Sequence, residues 1–598
     1  MKSLTICISG HICRENSANL HSFWRGFINI QRGLPNVEIL NVVGHCWNPE
    51  FEYLVKNVYS PVLIASEKQP SYIGIYGPVI QPVDKFEIGI KRSKSTWSRI
   101  SPQSLIGISE SRSKAISLLE GLDISQSDWV LAARWDQGCS GSKDVHQIVV
   151  DGALPNNYLY MPYYNEIDEG YPDMWFLTNK ETAQNFTQYS EFIIDCLSGN
   201  NDFFKEFTET GWPLAIAKKK KSRVEKKISI GSAKLANLTR SLLIDICGYL
   251  NEGKIYNKAN SILRRVNDYI DKPIITGENS HLPKSKSLVV YPNYQALNIH
   301  AMLKYFVMSK GLRENTRFLH VNDFNTPSNG FEINPVKYAY VIYSHSSFSD
   351  CWEMVVNQAL ENISNSCEKI ILISDESEET RLSFGHILGA KNIELVTYNN
   401  EEPYTERLRR SFLHIMKRFK YIYFSHEDMP LYDKVDSVYL NSLLHYLDNS
   451  NEYYIKLVDT NYIDNKTDHI CFPGLVENVG GYSCSVQPSI MKLKEMVSFL
   501  SGFDDDIYSF EDKCCRSNLR FSSVKGNRKI GKYLLINNHF PHIATAISKG
   551  KWCTDEWANE IYQLSERYKI DLSVRGEVAP GKGNTRRFLK FKGLNDCL

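Results

Sequence analysis

The sequence predicts an α/β protein built as two Rossmann-like, mixed-sheet domains in tandem, and three observations carry that expectation. Short β-branched and apolar runs alternate with amphipathic stretches, the pattern of layered α/β folds rather than of sandwiches or bundles. The series occurs twice along the chain. With 598 residues against a prior of ~150 residues per domain, two separate cores are expected.

In the first half, SLTICIS (3–9), VEILNVV (37–43), PVLIAS (61–66) and DWVLAARW (128–135) read as strands, with a helix across Ser104 to Leu122. In the second half, YAYVIYS (338–344), EKIILIS (368–374), IELVTYN (393–399) and KYIYFS (420–425) read as strands, with helices over Trp352 to Ser364 and Pro403 to Arg418. The turn-rich segment from Asn322 to Gly330 separates the two series and sets the boundary near 328. The expected domains are 1–327 and 328–598, the first carrying a basic helical insertion at about 215–285.

Apolar residues at 42% and charged residues at 23% are ordinary globular usage and exclude a mostly disordered, collagenous or coiled-coil chain. The 69 basic and 68 acidic side chains nearly cancel, so no global field recruits nucleic acid, and no nucleic-acid partner is expected. Fourteen cysteines without a C-x-x-C pair fit a reduced cytoplasmic compartment better than a zinc or disulfide framework. The opening MKSLTICISGHIC is too short and too β-rich for a signal peptide. No run approaches the ~18 apolar residues of a spanning helix. Any membrane contact is therefore expected to be peripheral.

One segment departs from this balance. Residues 218 to 240 hold nine basic side chains against Glu225 alone, followed by Leu235, Leu238, Leu242 and Ile246 at helical spacing. Such a basic, partly amphipathic stretch is either a solvated surface loop before a core-facing helix or a surface for anionic lipid head groups at the inner face of the cytoplasmic membrane.

The most informative stretch is Tyr421-Ile422-Tyr423-Phe424-Ser425-His426-Glu427-Asp428-Met429-Pro430-Leu431-Tyr432. An apolar strand that stops at two carboxylates places them at the carboxyl edge of the sheet, where open α/β sheets bind ligands. A hard divalent cation, Mn²⁺ or Mg²⁺, suits that pair. Held by one or two carboxylates, it completes its shell with water and substrate phosphates. A solvated acid pair at a strand end, or acids beside helix amides, is the plain alternative.

The order of further features resembles the GT-A class of nucleotide-sugar glycosyltransferases. Ser344 and His345 end the first strand of the second half, Asp375 and Glu376 the second, and Glu427-Asp428 stand where that class carries its metal motif. Gly480-Gly481-Tyr482-Ser483 resembles its glycine turn, where missing side chains let amides approach a ligand. Ser509-Phe510-Glu511-Asp512 resembles the acidic motif that supplies the general base in inverting members, with Glu511 the first choice. His539 or His542, in Asn-His-Phe-Pro-His, resembles the late histidine metal ligand. Phrases typical of bacterial capsule and O-antigen glycosyltransferases accompany these: the Glu427-Asp428-Met429 stretch, Gly481 to Pro488, and the tail from Gly550-Lys551-Trp552 to Arg575-Gly576. The likeness spans about 336 to 578, and it departs from the commonest form in reading Glu-Asp-Met rather than Asp-x-Asp.

The first half resembles the same enzymes more faintly. Gly10-His11 followed by Arg14 looks like a diphosphate-binding turn after the first strand. Arg134-Trp135-Asp136 ends a strand at the position of the metal motif, although Arg134 and Asp136 could equally form a structural ion pair. Asp173 in Tyr-Pro-Asp-Met-Trp would present a carboxylate to an acceptor, and His300 would be the late histidine unless it is a satisfied core residue. No residue-level repeat joins the halves.

The resemblance implies a fold of two GT-A-like glycosyltransferase domains and a hexosyltransferase-type enzyme. It implies bifunctional transfer of sugars from nucleotide-sugar donors to a growing bacterial surface polysaccharide, with a divalent metal and a glycan acceptor that could be lipid-linked. Two alternatives stand beside it: a single active C-terminal domain with a degenerate, acceptor-binding N-terminal one, and a non-catalytic glycan-binding scaffold. Neither the sugar, the base, the anomeric outcome nor the oligomeric state is set by the sequence.

Overall fold

In the computed structural model the described residues are 3–13, 20–34, 39–72, 102–137, 154–162, 171, 173–198, 299–319, 331–387, 392–460, 466–479, 484–516, 520–530 and 534–578. The chain divides into two compact units, one of Met1–Ala18 with Arg25–Pro327, the other of Asn19–Trp24 with Ser328–Leu598. The basic stretch 218–240, the expected insertion at 215–285 and the boundary turn 322–330 lie outside the described residues.

The first unit is a seven-stranded sheet of β1 (Ser3–Gly10), β2 (Ile39–Cys46), β3 (Leu63–Ser66), β4 (Trp129–Arg134), β5 (Leu159–Pro162), β6 (Trp175–Asn179) and β7 (Thr316–Leu319). Its order is β3-β2-β1-β4-β6-β5-β7. The first four strands are parallel, β6 runs antiparallel to β4 and β5, and β7 is parallel to β5. Helix Pro102–Ser117 covers one face, where Leu105, Ile106 and Ile116 join Val130, Ala132, Phe176 and Phe306 in one apolar core.

The second unit runs through β8 (Tyr338–Tyr343), β9 (Cys367–Asp375), β10 (Ile393–Tyr398), β11 (Tyr421–His426), β12 (Tyr454–Lys456), β13 (Asp459–Thr460), β14 (Lys466–Asp468), β15 (Leu475–Val479), β16 (Ser489–Lys492) and β17 (Arg520–Val524). It closes with β18 (Arg528–Ile530), β19 (Leu534–Ile536), β20 (Ile547–Ser548) and β21 (Lys551–Trp552). Nine of these form a sheet in the order β10-β9-β8-β11-β16-β12-β17-β15-β14, beside the small sheets β13-β19-β18 and β20-β21. Strands β8 and β11 are buried at every position, as expected where helices cover both faces of a parallel sheet.

The two sheets share one plan. Counting strands within each unit, the order third, second, first, fourth, then an antiparallel strand, recurs with the same directions in both. The pair beyond it recurs as well, since β5 pairs β6 antiparallel and β7 parallel, as β12 pairs β16 and β17. This is the tandem, mixed-sheet, Rossmann-like architecture the sequence predicts. Chain direction along the sheet reverses between β1 and β4 in the first unit and between β8 and β11 in the second. Such a switch point opens a crevice at the carboxyl ends of the strands, where ligands bind.

Of the strand-end residues singled out from the sequence, Gly10, Arg134, Ser344 and Glu427 end or follow strands that flank these two points, whereas Asp375 ends β9, one strand away. No described helix is long and apolar enough to cross a membrane.

Candidate active site

In the second unit, β8 hands the chain to Ser344, His345 and Ser346. Asp375, the last residue of β9, holds that turn: its carboxylate accepts the Ser346 amide at 2.6 Å and the Ser346 hydroxyl at 3.1 Å. His345 lies 3.8 Å away and takes the Ser347 amide on Nδ1 at 3.1 Å. Burial alone would raise the Asp375 carboxyl, but the Ser346 amide, the Ser377 hydroxyl and the His345 charge bring it down to about 2. Asp375 is thus a fixed anion whose hydrogen bonds order the turn after β8. Ser344 accepts the Trp352 indole N–H at 2.7 Å, and its carbonyl accepts the Tyr398 hydroxyl at 2.9 Å.

Across the switch point, the Glu427 amide donates to the Tyr343 carbonyl at 3.3 Å, which sets the acid pair against the end of β8. The Glu427 side chain is buried, and its Oε2 has no hydrogen-bond partner among the described residues. Burial pushes this carboxyl well above its usual range, the adjacent Asp428 pushes it further, and Ser344 and the Arg575 charge offset only part of that. Asp428 is raised too, by burial. Two neighbouring acids that burial disfavours as anions, one with an orphaned oxygen, call for a proton or a cation between them.

The donor set therefore fits a hard divalent ion. Among the described residues no three His, Cys, Asp or Glu side chains gather as a complete ligand set. An ion held by Glu427 and Asp428 would take its remaining ligands from water and substrate oxygens.

The histidines expected as ligands are used otherwise. His542 is fully buried, donates from Nδ1 to the Met429 carbonyl at 2.7 Å and accepts the Tyr423 hydroxyl on Nε2 at 2.6 Å. Both ring nitrogens are engaged, and burial lowers its pKa to about 4. His542 is therefore a neutral brace between β11 and the segment after β19. His539 pairs with Asp436 at 2.8 Å and stacks on Tyr439 with ring centres 4.0 Å apart. Asp436 in turn caps helix Ser437–Asp448 by accepting the Tyr439 amide, so His539 anchors a helix start.

Of the two candidate bases, only Glu511 turns toward the site. It lies on helix Ile507–Arg516, accepts the Val486 amide at 3.1 Å, and is raised by burial against the opposing pull of that amide and of the Lys456 charge. Asp512 is exposed and pairs with Arg516 one turn on, at 2.7 Å, which corrects its place among the candidates. Glu511 and Glu427 both act electrostatically on the buried hydroxyl of Tyr404. That hydroxyl contacts His426 Nε2 at 3.2 Å at the end of β11. Glu511 and Glu427 thus both bear on one buried aromatic cluster. Gly480 and Gly481 lie outside the described residues.

Tyr404 and Lys456 escape sequence reasoning because nothing in their local sequence marks them. Only the fold brings them near the candidate acids.

The first unit builds its edge differently. Gly10 has φ +112°, a conformation open to glycine, and its amide donates to Ser111 Oγ at 2.7 Å. His11 contacts Gln69 at 2.9 Å, and Arg14 lies outside the described residues. Arg134 grips Asp136 with two bonds of 2.9 Å and reaches Asp173 at 3.2 Å. The geometry is that of the ion pair. Asp136 is neutralised by a guanidinium where Glu427 has an orphaned oxygen, and Asp173 serves Arg134. Arg134 is thus shared between two carboxylates. His300 falls on helix Ile299–Ser309, its side chain outside the described residues.

No family model matches the chain, and no curated protein does. Solved structures similar to parts of it include a cytidylyltransferase from Leptospira borgpetersenii, at 11% identity over 40% of this chain and 98% of that one, TM-score 0.24. Residues 1–349 of S. aureus TarS match at 11% identity over 39% of this chain and 64% of that one, TM-score 0.23. The mannosyltransferase Ktr4p from S. cerevisiae matches at 13% identity over 21% and 42%, TM-score 0.15. At these scores the likeness says nothing of substrate, and the class stands on the strand order: tandem α/β units, each with a topological switch point.

Proposed function

We propose that the second unit is a nucleotide-sugar-dependent glycosyltransferase of hexosyltransferase type. The observation that carries this reading is the buried, half-satisfied Glu427 beside Asp428 at the switch point between β8 and β11. In the transfer, an acceptor hydroxyl attacks the anomeric carbon of the donor as its proton passes to Glu511. The bond from that carbon to the diphosphate oxygen breaks, and the electron pair leaves with the nucleoside diphosphate. This is the direct displacement of an inverting enzyme. A divalent ion at Glu427 and Asp428 would neutralise the charge of the diphosphate. Asp375 keeps the turn after β8 ordered beneath the donor, and Val486 aims Glu511.

The acceptor in this reading is a growing bacterial surface polysaccharide, capsule or O-antigen. The resemblance of 336 to 578 to such enzymes supports it. Residues 218 to 240, rich in lysine, would hold the chain to an anionic membrane where a lipid-linked acceptor waits.

Within this proposal the first unit binds the acceptor. A second reading, a bifunctional enzyme with two transfer sites, is favoured by the shared strand plan and by Gly10 at the first switch point. Hydrolysis and transfer from a panel of nucleotide sugars, with Mn²⁺ or Mg²⁺ and with excess chelator, tests the reading. Metal-dependent turnover of one donor supports it. A chain that binds glycan but no nucleotide sugar would be a scaffold.

A further inference from the structure

A charge that bears on Glu427 from outside its own loop is that of Arg575, which is remote in sequence. A series of backbone bonds returns its segment to the site. The Asp428 carbonyl accepts the Ala546 amide at 2.5 Å, the Ala546 carbonyl accepts Cys553 at 2.8 Å, and Trp552 bonds to Gly576 and Val578 at 3.0 and 2.8 Å. Gly576, at φ +69°, turns the chain just after Arg575.

The Arg575 side chain is only 14% exposed. Nε donates to Asp350 at 2.8 Å, Nη2 donates to Asp350 and, at 2.7 Å, to the Ser347 carbonyl, and the guanidinium lies 4.7 Å from the Phe348 ring centre. Ser347 and Phe348 belong to the turn after β8 that Asp375 orders from its other side. The Cys351 thiol is a further side-chain partner of the guanidinium. A guanidinium carries five N–H donors in a fixed fork suited to phosphate. Here Asp350, Ser347 and Phe348 hold that fork in place.

We propose that Arg575 is a resident cation of the donor site, binding the diphosphate of the nucleotide sugar and stabilising it as it leaves, with Asp350 as its positioning residue. This inference rests on the transferase reading above and adds to it a contact from the far end of the chain. As the bond to the anomeric carbon breaks, the electron pair moves onto the diphosphate, and a fixed guanidinium gains most at that moment. Held by protein rather than by exchangeable ligands, this charge persists when metal is removed.

The test is calorimetric titration of the full-length chain with UDP and GDP, and with uridine and guanosine, in Mg²⁺ and in excess chelator. Wild type should retain measurable diphosphate affinity in chelator. Arg575→Gln should weaken diphosphate binding about 10- to 100-fold, the range for a lost charge-assisted contact, while nucleoside binding stays the same. Arg575→Lys should recover part of the loss, and Asp350→Asn should show a smaller one. Equal diphosphate affinity in wild type and Arg575→Gln would overturn the inference, as would equal weakening for nucleoside and diphosphate, which marks a merely structural role. Should Arg575→Gln fail to fold, Arg575→Lys decides: unchanged diphosphate affinity overturns the inference. A wild type that binds neither nucleotide would instead overturn the transferase reading.

Discussion

The two sheets place an acid at the same topological point and treat it in opposite ways. In the first unit Asp136 is held bidentate by Arg134 two residues earlier, and Asp173 completes the cluster. In the second, Glu427 is buried with an oxygen that nothing satisfies among the described residues, its neighbour Asp428 is raised by burial, and the arginine whose charge bears on it, Arg575, is paired with Asp350. A shared fold thus does not imply a shared site. An acid whose charge is balanced within the chain stabilises it, whereas an acid left unbalanced waits for a ligand.

The largest effect that separates the units is expected from the acids themselves. Asp428→Asn should lower transfer at least ~10³-fold, as loss of charge stabilisation at a leaving group does, with the thermal unfolding midpoint within a few degrees of wild type. Glu511→Gln should cost ~10²- to 10⁴-fold in kcat, the usual contribution of a general base. Steady-state kinetics on the same donor checks both.

The matching change in the first unit should act on stability instead. Asp136→Ala leaves Arg134 to Asp173 alone and should cost roughly 2 to 3 kcal/mol, less than the ~3 to 5 kcal/mol of a fully broken buried pair because that second carboxylate remains. Adding Arg134→Met orphans the buried Asp173 and should deepen the loss in denaturant unfolding. Transfer should be unchanged in both variants. A large loss of transfer with normal stability would break the comparison and restore the bifunctional reading.

A smaller effect is a shift of pH profile. Glu511 must be ionised to accept a proton, and burial raises its pKa, so kcat/KM should fall as pH drops through a value above the ordinary glutamate range. The Lys456 charge opposes that rise. Lys456 is itself buried and pushed down to about 8. Lys456→Met should therefore move the acidic limb to higher pH, and a shift to lower pH would remove Lys456 from the account.

The parallel half of each sheet was the legible part. Strands such as Tyr338–Tyr343 and Tyr421–His426 are buried on both faces and read as continuous apolar runs. Their ends fall within three residues of expectation. The antiparallel strands, three to five residues long in β12, β15 and β17 and broken by polar positions such as Lys456, Asn478 and Ser522, carry too short a pattern to stand out. At the site, the abrupt change from apolar strand to Glu427-Asp428 was visible, and so was the choice between a catalytic and a paired Asp136. What decided that choice was not, because Asp173 lies 39 positions from Arg134. Likewise, the contact of Arg575 with Ser347 spans 228 positions. His542 resembled a ligand by its late place in the order of motifs, and in the fold Met429 and Tyr423 occupy both its nitrogens.

The most direct measurement is the number of nucleotide-sugar molecules bound per full-length chain, read by calorimetry with the donor found in the hydrolysis panel. One is expected, abolished or severely weakened by Asp428→Asn and retained in Asp136→Ala. Two sites per chain, with one lost in each variant, would contradict it.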